Sequence, residues 1–138
     1  MDIQNKINYW LDMAVYDLDT ARAMHETGRY LYVGFMCHQV IEKSLKAYYW
    51  YSIHNEPPYT HNLLLLAEQS KLKQYMNEGM NTLLNYLMPL NIQARYPQDK
   101  NELIKALTEQ VCNDLLKKTE ELFEWIKQLL QKQSSMPA

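Results

Sequence analysis

The chain has 138 residues, 47% hydrophobic, 22% charged and 12% aromatic, which suits one globular domain large enough to bury a core. Lys plus Arg number 14 against 16 for Asp plus Glu, so the formal charge of −2 gives no overall field for nucleic acid or an acidic membrane, and RNA would need a local patch. No apolar run approaches the roughly 20 residues of a membrane span, and the start (Met1, Asp2, Lys6) lacks a signal peptide's layout, so a cytoplasmic location is expected.

Three glycines and five prolines among 138 residues, with Leu, Met, Lys, Gln and Glu abundant, point to helices throughout. In residues 2–27, Ile7, Leu11, Ala14, Leu18 and Ala21 recur at helical spacing, widened by Trp10 and Val15, with Asp12, Asp17, Asp19 and Arg22 opposite. Gly28 follows as a left-handed cap. Residues 29–53 are apolar on most sides, from Leu31 and Val33 to Leu45 and Trp50, and should form the most buried helix. Pro57 and Pro58 mark a loop. The run Leu63 to Leu66 predicts a short helix over 61–72, with Thr60 or His61 placed to cap it. A fourth helix over 78–90 ends near Pro89.

After an irregular stretch with Arg95-Tyr96-Pro97, Ile104, Leu107, Val111, Leu115, Leu122, Trp125 and Leu129 fall on one face. They predict a last helix over 101–131, about 45 Å long if unbroken. The fold class is therefore all-α, an antiparallel up-and-down bundle of four to five helices in one domain over 1–133, with 134–138 as a frayed tail. Cys37 and Cys112 sit on apolar-periodic helix positions, where a small hydrophobe is expected rather than a disulfide or a metal ligand.

On the apolar second helix, His38, Glu42 and Lys46 are spaced by four, with Gln39 and Lys43 one position round, in one polar strip. The plain reading is a solvent edge with a Glu42–Lys46 pair worth about 0.3–0.5 kcal/mol. The sharper one is a seam facing a subunit, a ligand or a nucleic-acid groove. His61 is either a cap or a near-neutral titrating group at the same end of the bundle. Arg95 is either a phosphate ligand or a surface ion-pair partner. Tyr48, Tyr49 and Tyr51 around Trp50 suit a core or an interface better than base stacking.

Three isolated glycines make no phosphate loop, there is no Gly-x-Ser-x-Gly elbow or His-Glu-x-x-His pair, and no histidine has a glutamate three residues before it. A stand-alone hydrolase or metalloenzyme is not expected, and no metal site is assigned.

The segment Phe35 to Ala47, with its Glu42-Lys43 pair followed by Lys46-Ala47, resembles the signature of the HEPN family. Thr60-His61-Asn62-Leu63 and Arg95-Tyr96-Pro97 resemble its next two landmarks, and Ala14, Asp17, Leu18 and Ala21 suit its opening helix, so the resemblance spans residues 5–130. It implies a helical bundle, commonly a homodimer, often encoded beside a minimal nucleotidyltransferase as a two-component, toxin–antitoxin-like system. In one branch the HEPN protein is an RNA-cutting toxin. There an arginine is followed after four to six residues by a histidine, both lining a cleft across the dimer.

Arg95 takes a plausible arginine position, but the histidines are 25, 38, 54 and 61, none follows it, and Arg22 and Arg29 have none at the required spacing. The motif tyrosine that a partner nucleotidyltransferase modifies in that branch is missing with it. The resemblance then implies a non-catalytic subunit that binds its partner, and an ATP-like nucleotide, through His38, Glu42, Lys43, Lys46, His61, Arg95 and Tyr96. The alternative is a degenerate, metal-independent ribonuclease using Arg95 with His61 or His38.

Overall fold

A computed structural model of the chain describes residues 2–91 and 100–134. Among them six α-helices follow in order: α1 (Ile3–Glu26), α2 (Tyr30–Ile53), α3 (Leu63–Gln69), α4 (Glu78–Leu87), α5 (Lys100–Ala106) and α6 (Glu109–Ser134), with a single 3-10 turn at Lys73–Tyr75. The architecture is an all-α bundle in which α1 and α6 pack along α2, and α3 and α4 close its remaining side. No helix among the described residues is long and apolar enough to cross a membrane.

Local chemistry sets the helix ends. Asp2, Asn62 and Asn77 each accept a hydrogen bond from a first-turn amide, those of Asn5, Leu65 and Met80, and so cap α1, α3 and α4. The cap of α3 is thus Asn62, where Thr60 or His61 was expected. Gly28, at φ 74°, ends α1 in a Schellman motif: its own N–H donates to the His25 carbonyl and that of Arg29 to the Met24 carbonyl.

The expected last helix is two helices. Leu107 makes the final backbone bond back to Leu103, and the Thr108 hydroxyl then accepts from the Val111 N–H at 3.2 Å, capping α6. Apolar spacing continues through the break, which is why periodicity reads it as one helix. Ile104 drops out of the stripe and is exposed, while Leu107 is buried. Past the break, Cys112, Leu115, Phe123 and Ile126 face the core of α2, and both cysteines are free, buried thiols. Burial pushes the Cys37 thiol up to about 12 and that of Cys112 to about 11, so both stay protonated and unreactive at neutral pH.

Candidate functional site

The polar strip of α2 is not a solvent edge. His38, Gln39, Glu42 and Lys46 are all buried and Lys43 nearly so, which overturns the plain reading of the strip. One helix turn is 3.6 residues, so positions spaced by four form two lines about 100° apart. Those lines meet different neighbours.

The first line is His38, Glu42 and Lys46, covered by the segment between α2 and α3. His61 Nδ1–H donates to Glu42 Oε1 at 2.8 Å, and Lys46 Nζ donates to Oε2 at 3.1 Å. Both carboxylate oxygens are therefore engaged. Burial pushes the Glu42 carboxyl up, but the His61 hydrogen bond and the adjacent Lys46 ammonium outweigh it and leave the group below its ordinary value, ionised. His38 Nε2 faces the His61 carbonyl oxygen at 3.1 Å, so that nitrogen carries the proton and donates. Burial is the main reason the His38 imidazole is lowered to about 4, against the opposing pull of Glu42. His38 is neutral at physiological pH, and its 3.9 Å approach to Glu42 is not an ion pair.

The second line is Gln39 and Lys43, and it meets α1 and the end of the α4 region. Gln39 Nε2 donates to Asn91 Oδ1 at 3.1 Å while its carbonyl accepts from Lys43 Nζ, also at 3.1 Å. Lys43 also donates to Asp17 Oδ2 at 3.2 Å. Asp17, assigned from periodicity to the outer face of α1, is buried instead. It and Asn91 are the two members of the network that pattern reasoning missed. The signal available was Asp17 itself, a carboxylate three residues after Ala14 and four before Ala21, both of which are fully buried.

Of the residues assigned to the site, the structure brings together His38, Glu42, Lys46 and His61, and places Lys43 beside them on the Asp17 side. Arg95 and Tyr96 lie outside the described residues. Among the described residues of the assigned site only His61 presents a substantial part of its side chain, 46%, to solvent, and Lys46 reaches a cleft between α1 and α2. The sequence profile of the HEPN domain matches residues 7–129. The chain belongs to the HEPN domain family. Nothing among curated proteins or solved structures matches it significantly. In this HEPN chain the glutamate and lysines of the helix-two signature are thus spent on holding the helix, the His61 segment and α1 together. Among the described residues no group of three His, Cys, Asp or Glu side chains is placed to hold a metal ion.

Proposed function

We propose that this HEPN chain is a non-catalytic, nucleotide-binding subunit, acting as a cytoplasmic homodimer with a minimal nucleotidyltransferase in a two-component system of toxin–antitoxin type. The observation that supports the non-catalytic part of the reading is the internal neutralisation of the seam. Glu42 is shared between His61 and Lys46, Lys43 is held by Asp17, and His38 is buried and neutral. RNA cleavage by general acid–base chemistry needs groups that exchange protons with a substrate. A histidine sealed under a backbone carbonyl does not do so. The sequence also lacks any histidine after Arg95. Native mass spectrometry of the protein purified gently from its own host tests the reading: the expected species is a dimer carrying a nucleotidyltransferase, and a bare dimer or monomer overturns the partnership.

One observation favours the second reading. A carboxylate holding Nδ1 of a half-exposed imidazole, as Glu42 holds His61, orients the other ring nitrogen outward in the way a general base requires. On this reading the chain is a degenerate ribonuclease using His61 and Arg95. Incubation with total RNA in EDTA decides between the two. Cleavage that disappears in both His61→Ala and Arg95→Ala establishes the ribonuclease, whereas intact RNA supports the accessory subunit.

A further inference from the structure

At the end of the bundle where α1 begins and α2 finishes, both helices carry a Lys-x-x-Tyr-Trp pattern, Lys6 to Trp10 on α1 and Lys46 to Trp50 on α2. The helices run antiparallel, so each lysine reaches the other helix's tryptophan. Lys6 Nζ stands 5.2 Å from the centre of the Trp50 ring, and Lys46 Nζ 5.2 Å from that of Trp10. Between these residues and the segment after α2 lies a cleft of about 470 Å³. Pro57 and Pro58 wall it with apolar rings and have no N–H to donate. Tyr59 stands at its rim, 100% exposed.

Of the charges that face this cleft, Lys46 is already committed: its ammonium donates to Glu42 at 3.1 Å and only 10% of its side chain is exposed. Two others remain. Lys6 on α1 and Glu56 on the segment after α2 line the same cleft, yet among the described residues neither forms an ion pair, with the other or with any third group. The cleft therefore presents one free ammonium and one free carboxylate, set apart, between aromatic and proline walls. A simple anion meets repulsion from Glu56, and a simple cation meets it from Lys6. A quaternary ammonium binds on aromatic faces, and here a lysine ammonium already stands over each indole. The arrangement suits a ligand that carries both charges on a planar apolar body.

We infer that the cleft binds a free aromatic α-amino acid, its carboxylate on Lys6, its ammonium on Glu56 and its ring against Tyr59 and the two prolines. Both charged ends then make charge-assisted hydrogen bonds, about twice as strong as neutral ones. The ring adds stacking against Tyr59 that an aliphatic side chain does not match. A volume of about 470 Å³ falls in the range of small-molecule sites and admits an indole side chain. The ligand has no net charge, so a chain whose own formal charge is −2 neither attracts nor repels it at long range. The site is distinct from the Glu42–His61 seam, which it meets only at Lys46. It stands independently of the nucleotidyltransferase partnership.

Isothermal titration of the full chain with L-tryptophan, indole-3-propionate, tryptamine and L-leucine tests the inference. Indole-3-propionate lacks the ammonium, tryptamine the carboxylate and leucine the aromatic ring. L-Tryptophan is expected to bind at one site per chain, about tenfold more tightly than either indole analogue and about threefold or more above leucine. Lys6→Ala should weaken tryptophan by about tenfold. Glu56→Gln should weaken tryptophan by a similar factor while leaving indole-3-propionate no weaker, and Tyr59→Ala should remove the advantage over leucine. Glu56 and Tyr59 are exposed and hold nothing in the core, so their variants keep the test valid if Lys6→Ala disturbs the fold. No binding of tryptophan, equal binding of either indole analogue or of leucine, or tryptophan binding unchanged in both Glu56→Gln and Tyr59→Ala each overturns the inference.

Discussion

His61 and Glu42, 19 residues apart in sequence, meet through a 2.8 Å hydrogen bond that closes the segment after α2 back over the middle of that helix. Lys46 holds the other carboxylate oxygen. Replacing Glu42 by Gln leaves Lys46 without its counter-charge in a largely dry setting. Removing one partner of a buried pair costs about 3–5 kcal/mol, and Lys46's access to the cleft brings the expected loss to about 2–4 kcal/mol. Because the folded Glu42 carboxyl lies below its ordinary value, its contribution is present above the unfolded value and is lost as pH falls through the folded one. Urea unfolding of wild type and Glu42→Gln should therefore differ most at neutral pH and converge in acid. A constant gap down to pH 3 would show that Glu42 is not held as described.

His38 acts in a higher window. Its folded value of about 4 lies below the ordinary 6.5, so between those values the unfolded chain binds a proton that the native chain refuses. Stability then falls as pH drops from 6.5 toward 4, by up to about 1.4 kcal/mol per pH unit from this group alone. His38→Gln retains a donor for the His61 carbonyl without titrating. It should be less stable at pH 7 but show a flatter profile across that window. Parallel profiles would mean that His38 is not sealed in neutral form.

The helical architecture was legible because it depends on local signals. The ends of α1 and α2 fall within a residue or so of the expected 2–27 and 29–53, and Gly28 adopts the left-handed cap its missing Cβ allows. The seam was only half legible. Spacing by four places His38, Glu42 and Lys46 in one line, but nothing in spacing tells what lies over that line. The cover is His61, delivered by a nonhelical segment, and the second line is covered by Asp17, whose polarity argued for the opposite face. The break at Thr108 was hidden because a capping threonine leaves the apolar period of 104, 107 and 111 intact.

Asp17 and Lys43 join α1 to α2 with side chains only 12% and 14% exposed. Their interaction is testable by a double-mutant cycle with Asp17→Ala, Lys43→Ala and the pair. A coupling of about 1–3 kcal/mol is expected for contacting groups in one network. Because Lys43 also binds Gln39, Asp17→Ala should cost less than Glu42→Gln. Strict additivity of the two single changes would remove Asp17 from the network.

Two glycines are needed for different physical reasons, and substitution separates them. Gly28 stands in open space, with nothing within 4 Å of an added Cβ, but its φ is +74°. Gly28→Ala should cost about 1–2 kcal/mol through the backbone alone, since left-handed geometry crowds any Cβ. At Gly34, inside α2, an added Cβ would sit 2.9 Å from Leu90 Cδ1 and 3.7 Å from Leu107 Cδ1. Alanine there gains about 0.5–1 kcal/mol of helix propensity, which partly offsets about 1–3 kcal/mol of overpacking. The end of the Leu90 side chain can rotate away, so Gly34→Ala should fall within about 1 kcal/mol of wild type. Gly34→Leu has no such escape between the Leu90 and Leu107 side chains and should cost more than Gly28→Ala. Urea midpoints for the three variants check this order, and a Gly34→Leu protein as stable as wild type would show that α2 does not approach Leu90 and Leu107 this closely.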